Sequence, residues 1–122
     1  MLNEFKSWVE SILGADYAYS MGQWVETQAT ATRRYCVIQA DGGPAPDVDD
    51  RRQRFRVILL GRRNERGDAS SLIDDANSII EVAMSGQMPC GAANARAMGE
   101  VAGPGYTTEN RAWCQVNFQI TI

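Results

Sequence analysis

The chain predicts an α+β domain in which two helices pack on one face of a mainly antiparallel sheet of about four strands. Three observations carry that expectation. Two segments repeat apolar residues at helical spacing, the closing segment alternates strictly, and the helical and strand segments follow one another as helix, two strands, helix, two strands. At 122 residues the chain is one domain's worth, residues 1–122, long enough to bury roughly two-thirds of its unfolded surface.

The first helix is read from Phe5, Trp8, Val9, Ile12 and Leu13, which fall at i, i+3, i+4, i+7 and i+8; Asn3 supplies an N-cap and Gly14 a stop. Residues 15–31 carry Tyr17, Tyr19 and Trp24 without a sustained period and read as a connector, with at most a short irregular strand. RRYCVIQA, residues 33–40, is rich in strand formers and ends at Asp41, Gly42, Gly43 and Pro44, which are turn residues. The loop DGGPAPDVDD that follows holds two prolines, two glycines and four aspartates, too many breakers for a helix.

The next strand, Gln53 to Leu60, sets Phe55, Val57 and Leu59 on one face and Arg54, Arg56, Ile58 and Leu60 on the other. Its far end is apolar on both faces, while its arginine end emerges at a rim. With the preceding strand it forms a hairpin across a long loop. Asp68 is placed to cap the second helix, whose stripe is Leu72, Ile73, Ala76, Ile79, Ile80, Ala83 and Met84, and Gly86 stops it. A weak strand near Arg96 to Ala102 and a turn at Gly103, Pro104 and Gly105 come next. In the final strand Cys114, Val116, Phe118, Ile120 and Ile122 alternate with Gln115, Asn117, Gln119 and Thr121, so the amides line the uncovered face of the sheet.

Charge is unevenly placed. The net charge is −3, yet residues 33–66 hold nine of the twelve basic groups against five acids, +4, which leaves −7 for the remainder. A net acidic chain is not built mainly to coat nucleic acid, and a bipolar one suits self-assembly or an acidic partner. No apolar run approaches the ~20 residues of a membrane span, and MLNEFKSWVE does not read as a signal peptide, so a cytoplasm with reduced thiols is the expected place of synthesis.

Catalytic chemistry finds few parts. There is no histidine for a nucleophilic triad, the single lysine, Lys6, lies in the first helix, and no glycine run matches a nucleotide-binding fingerprint. Cys36, Cys90 and Cys114 show no metal-ligand spacing and read as small core residues. Asp47, Asp49 and Asp50 lack the glycine and distal glutamate of a calcium loop. No metal or cofactor is expected, and Glu100 and Glu109 are the remaining acids on which an enzyme would have to rely. Arg52, Arg54 and Arg56 share a strand face and could meet phosphates, but Phe55 points the other way and offers no stacking platform. A ladder pairing these arginines with acids across strands or subunits is the simpler reading.

Three fragments in order, QADGGPAPD, RFRVILLGRRNERGDASSLIDDANSII and GPGYTTENRAWCQVNFQITI, resemble tail terminator and minor capsid proteins of long-tailed bacteriophages, which act in tail completion and head-tail joining. The resemblance spans the chain after about residue 3 and departs at Thr108, Glu109, Asn110 and Arg111, where the usual glycine is missing. It implies a non-enzymatic virion protein, assembled in the bacterial host cytoplasm, that forms a homo-oligomeric ring, commonly of six subunits. Such a ring caps the tail tube, stops its polymerisation and meets the head connector. By the matching segments, Asp41, Gly42, Gly43, Asp47, Asp49 and Asp50 would belong to an arm reaching a neighbouring subunit or ring, and Arg51, Arg52 and Arg54 to an interface or a DNA-conducting lumen. A small nucleic-acid-binding module using the arginine strand is the alternative.

Overall fold

Phe5, Trp8 and Val9 are buried on one side of the opening helix, with Ile12 and Leu13 half-buried beside them, so the helical spacing read from the sequence is the side that meets the core. In the computed structural model, which describes residues 2–14, 17–21, 34–40, 52–62, 67–89, 92, 94–107 and 111–121, this helix is α1, Leu2–Leu13. It starts before Asn3, which therefore sits in the first turn and not at the cap. The remaining elements are β1 (Tyr17–Met21), β2 (Arg34–Ala40), β3 (Arg52–Leu60), α2 (Asp68–Met84), β4 (Asn94–Ala97), β5 (Ala102–Tyr106) and β6 (Ala112–Thr121). Gly14 and Gly86 lie at positive φ just past the two helices, where the chain must turn out of the helix and a side chain would be strained.

The sheet has six strands in place of the expected four, in the order β1-β2-β3-β6-β4, with β5 also pairing to β6. It is mixed, because β1 runs parallel to β2 while the other four pairings are antiparallel. The expected hairpin is present: Ala40 faces Phe55 and Tyr35 faces Leu60 across β2 and β3. β1 is the short irregular strand that residues 15–31 allowed; its bounds were not legible because YAYSM has one buried side chain, Tyr17, and no clean alternation.

Strand β6 is the axis of the sheet. One edge pairs with β3 from Trp113 to Thr121; the other is shared end to end, β4 facing Phe118 to Thr121 and β5 facing Ala112 to Gln115. The Met98 amide donates to the Asn117 carbonyl at 2.8 Å between them, so β4 and β5 form one interrupted edge strand. Gly103, Pro104 and Gly105 thus lie within β5 and not in a turn. Gly105 is required there, since a Cβ at that position would lie 2.4 Å from the Trp113 indole. The register breaks between Ala102 and Gly105, which is why a regular strand pattern was not visible in this segment.

Both helices cover the same face. Phe5 of α1 stacks on Phe55 of β3 at 4.7 Å between ring centroids, and Trp8 meets Phe118 of β6 edge-on at 5.9 Å. Such ring pairs add about 0.5–1.5 kcal/mol beyond the area they bury. From α2, Leu72, Ala76, Ile79 and Ala83 are buried, and the Cys114 thiol of β6 donates to the Leu72 carbonyl. Met84, expected at the end of this stripe, is the last residue of α2 and is 82% exposed.

Candidate assembly surface

Alternation places every second residue of the strands on the face away from the helices, and the register aligns these residues in rows across the sheet. Gln39, Arg56 and Asn117 form one row; Arg54, Gln119 and Arg96 form the next. Toward the other end, Val37, Ile58 and Gln115 align, then Tyr35, Leu60 and Trp113. This face is therefore basic and amide-rich at one end, where Arg54 and Arg96 are exposed, and apolar at the other, where Val37 and Leu60 are buried, which is the gradient read from β3 alone.

Arg54 and Arg96 are both exposed, and Gln119, between them on β6, is buried at 8% exposure. Packed amides under charged side chains keep the arginine stems apart and the heads in water. The cross-strand neighbours of Arg54 and Arg56 are Gln119, Gln39 and Asn117, so the residues directly opposite these arginines are amides and not acids. Among the described residues of this face there is no acid.

Three further arginines among the described residues, Arg34, Arg62 and Arg111, are tied to groups of the fold itself. Asp68, expected as a helix cap, is the first residue of α2, makes no capping hydrogen bond and is 3% exposed. Its carboxylate accepts from Arg34 at 2.9 Å, from the Arg62 guanidinium at 3.0 and 3.2 Å, and from the Arg62 backbone amide at 2.9 Å. Burial by itself would push this carboxyl up, but the hydrogen bonds from Arg62 and Arg34 outweigh it and hold the group well below the usual carboxylate range. The start of β2, the exit of β3 and the first turn of α2 are thereby tied together. Gly61 leaves room for it, since a Cβ there would come within 2.9 Å of Asp68.

Arg111 is completely buried. Its guanidinium donates to the Gly61 carbonyl at 2.6 Å and lies 5.9 Å from the centre of the Tyr35 ring, at the apolar end of the open face. Neither cluster was identified from the sequence. The signal for Asp68 was an acid six residues after Arg62, at the strand-to-helix passage; for Arg111 no local signal exists, because its partners are 50 and 76 residues away.

Of the residues singled out beforehand, Asp41, Gly42, Gly43, Asp47, Asp49, Asp50 and Arg51 lie outside the described residues, as do Cys90 and Glu109. Arg52 is in β3 opposite Thr121, and Arg54 stands on the open face. Phe55 faces the core, as expected. Cys36 and Cys114 are buried and free, and burial pushes both thiols up to about 12, so neither ionises as a nucleophile near neutral pH. Glu100 is exposed. No group of three histidine, cysteine, aspartate or glutamate side chains is placed to hold a metal ion among the described residues. Among the described residues no helix is long and apolar enough to cross a membrane.

Comparison with known proteins gives three results. The model of a family described as phage tail termination protein matches residues 1–122. Among solved structures, one chain superimposes with a TM-score of 0.53 at 10% identity, covering 98% of this chain and 89% of that one, a likeness of fold alone. No curated protein matches.

Proposed function

The chain belongs to the phage tail termination protein family, and on that premise we propose that it closes the completed tail tube as a ring of identical subunits. In this role it is a structural component of the virion tail. The ring stops tube polymerisation by occupying the terminal interface and presents its other side to the head connector. The family match over the whole chain carries the reading, and the open basic sheet face supports it by leaving a surface for a neighbour.

In this reading the single-domain subunit supplies Asp41, Gly42, Gly43, Asp47, Asp49 and Asp50 as an arm to the next subunit or ring, and Arg51, Arg52 and Arg54 lie where the arm meets the sheet. A hexamer is the expected ring. The alternative, a nucleic-acid-binding module, draws support from the exposed Arg54 and Arg96, but their strand neighbour Phe55 is stacked on Phe5 in the core and offers no platform beside them.

The test is light scattering across a concentration series together with negative-stain images of the protein mixed with purified tail tubes of its own phage. Rings, free or seated at tube ends, are expected. Bare tube ends and a monomer at every concentration would overturn the proposal.

A further inference from the structure

The two layers of the subunit carry opposite charge at matching spacing. On the open face of the sheet, Arg54 and Arg96 flank Gln119 in one row, so their Cα atoms are separated by two strand spacings, about 10 Å. On the far side of the molecule α2 carries Asp74, Ser78 and Glu81, all exposed, at i, i+4 and i+7. Seven residues of helix separate the two acids by about 10.5 Å along one face. The outward side of α1 adds Glu4 and Glu10, and Lys6, the one basic residue of that helix, is engaged by Glu10 at 3.8 Å.

We propose that the row Arg54, Gln119 and Arg96 of one subunit receives the Asp74, Ser78 and Glu81 face of α2 from a second copy of the same chain. This rests on the ring reading and deepens it by naming the surfaces. Each copy offers one of each, so the contact is head-to-tail, the kind that closes into a ring when the rotation between copies allows. The occupant is fixed by charge: the receiving face has no acid among its described residues, and the outward faces of α1 and α2 are predominantly acidic. Arginine is suited to the contact because its planar fork takes a carboxylate through two hydrogen bonds, and Gln119 and Ser78 meet between the two ion pairs as uncharged polar neighbours. The contact also accounts for the bipolar distribution of charge in a chain of small net charge. Across a ring, opposite faces of neighbouring copies cancel.

The test uses two double variants of the full chain, Arg54→Glu with Arg96→Glu, and Asp74→Arg with Glu81→Arg. All four side chains are exposed, so each variant is expected to fold, which circular dichroism verifies. Self-association measured by light scattering should weaken by at least tenfold for each variant alone. Mixed in equal amounts, the two should assemble again, because the reversed sheet of one fits the reversed helix of the other, and only rings with an even number of subunits should close. A chain carrying all four substitutions should assemble by itself. If the wild type forms rings and either double variant forms them equally well, these surfaces are excluded while the ring reading stands. If the wild type stays monomeric even with tube ends present, the ring reading fails and this inference falls with it. If the Arg54 and Arg96 variant keeps its rings but loses retention on a DNA column, the face belongs to nucleic acid and the inference is overturned.

Discussion

Five arginines among the described residues fall into two groups with opposite fates. Arg34 and Arg62 converge on one buried carboxylate, Asp68, and Arg111 is sealed against the Gly61 carbonyl and Tyr35; Arg54 and Arg96 stand exposed on the open face among amides. In the first group the cation is answered within the chain and holds elements together. In the second the described residues of the face provide amides and no acid. The same residue type thus serves architecture in one region and stands exposed to solvent in the other, where we propose that a second copy meets it. What separates the regions is the position of an acid in three dimensions, not the local density of arginine.

This contrast can be broken from either side, and the effects should fall in a definite order. The covered face should be the most sensitive: Phe118→Ala removes a ring that meets both Phe5 and Trp8, and about 3–5 kcal/mol of unfolding free energy should be lost in urea titration. Next comes the buried acid. Asp68→Ala should cost about 2–3 kcal/mol, less than a fully buried pair because the Arg62 side chain is 45% exposed and that of Arg34 22%. A slighter loss, about 1–3 kcal/mol, is expected for Gly105→Ala, which forces the Trp113 indole off the edge strand.

A pH titration sharpens the same point. Because the Asp68 carboxyl is held below its ordinary value of 3.8, the unfolded chain takes up this proton first. The stabilisation is complete above about pH 5 and is lost as pH falls through 3.8 and below. Thermal unfolding should therefore show a decline in Tm below pH 4 that is shallower in Asp68→Asn than in the wild type. At the other extreme, Arg54→Ala with Arg96→Ala should leave the unfolding free energy within about 0.5 kcal/mol, since exposed side chains contribute little to folding. Its effect should appear only in self-association. A large loss of stability there would erase the distinction between the two groups.

Much of the fold was readable because periodicity reports burial directly. Phe5, Trp8 and Val9, the stripe of α2 apart from Met84, and the alternation of β6 up to Ile120 each lie on one continuous element and meet the core; Ile122 lies outside the described residues. Where pairing and not periodicity decides the structure, only a short irregular strand within residues 15–31 and a weak strand near Arg96 to Ala102 were legible. β1 is a strand because it finds the edge of β2; β4 and β5 are halves of one edge strand because β6 is long enough to pair with both. The open basic face was legible in part, since Arg54 and Arg56 alternate with buried residues, but Arg96 joins Arg54 only through the β6 register.

By itself, then, the sequence determined the layers of this protein: which helical side and which strand face are apolar, that the chain carries no histidine, and that positive charge gathers around β3. These follow from local spacing and residue chemistry. The tertiary structure decided which charges are spent and which are offered, because Asp68 meets Arg34 and Arg62, Arg111 reaches Gly61, and Arg54 lines up with Arg96 only after distant segments are brought together. Pairing depends on distance in space, and distance in space is set by the whole chain.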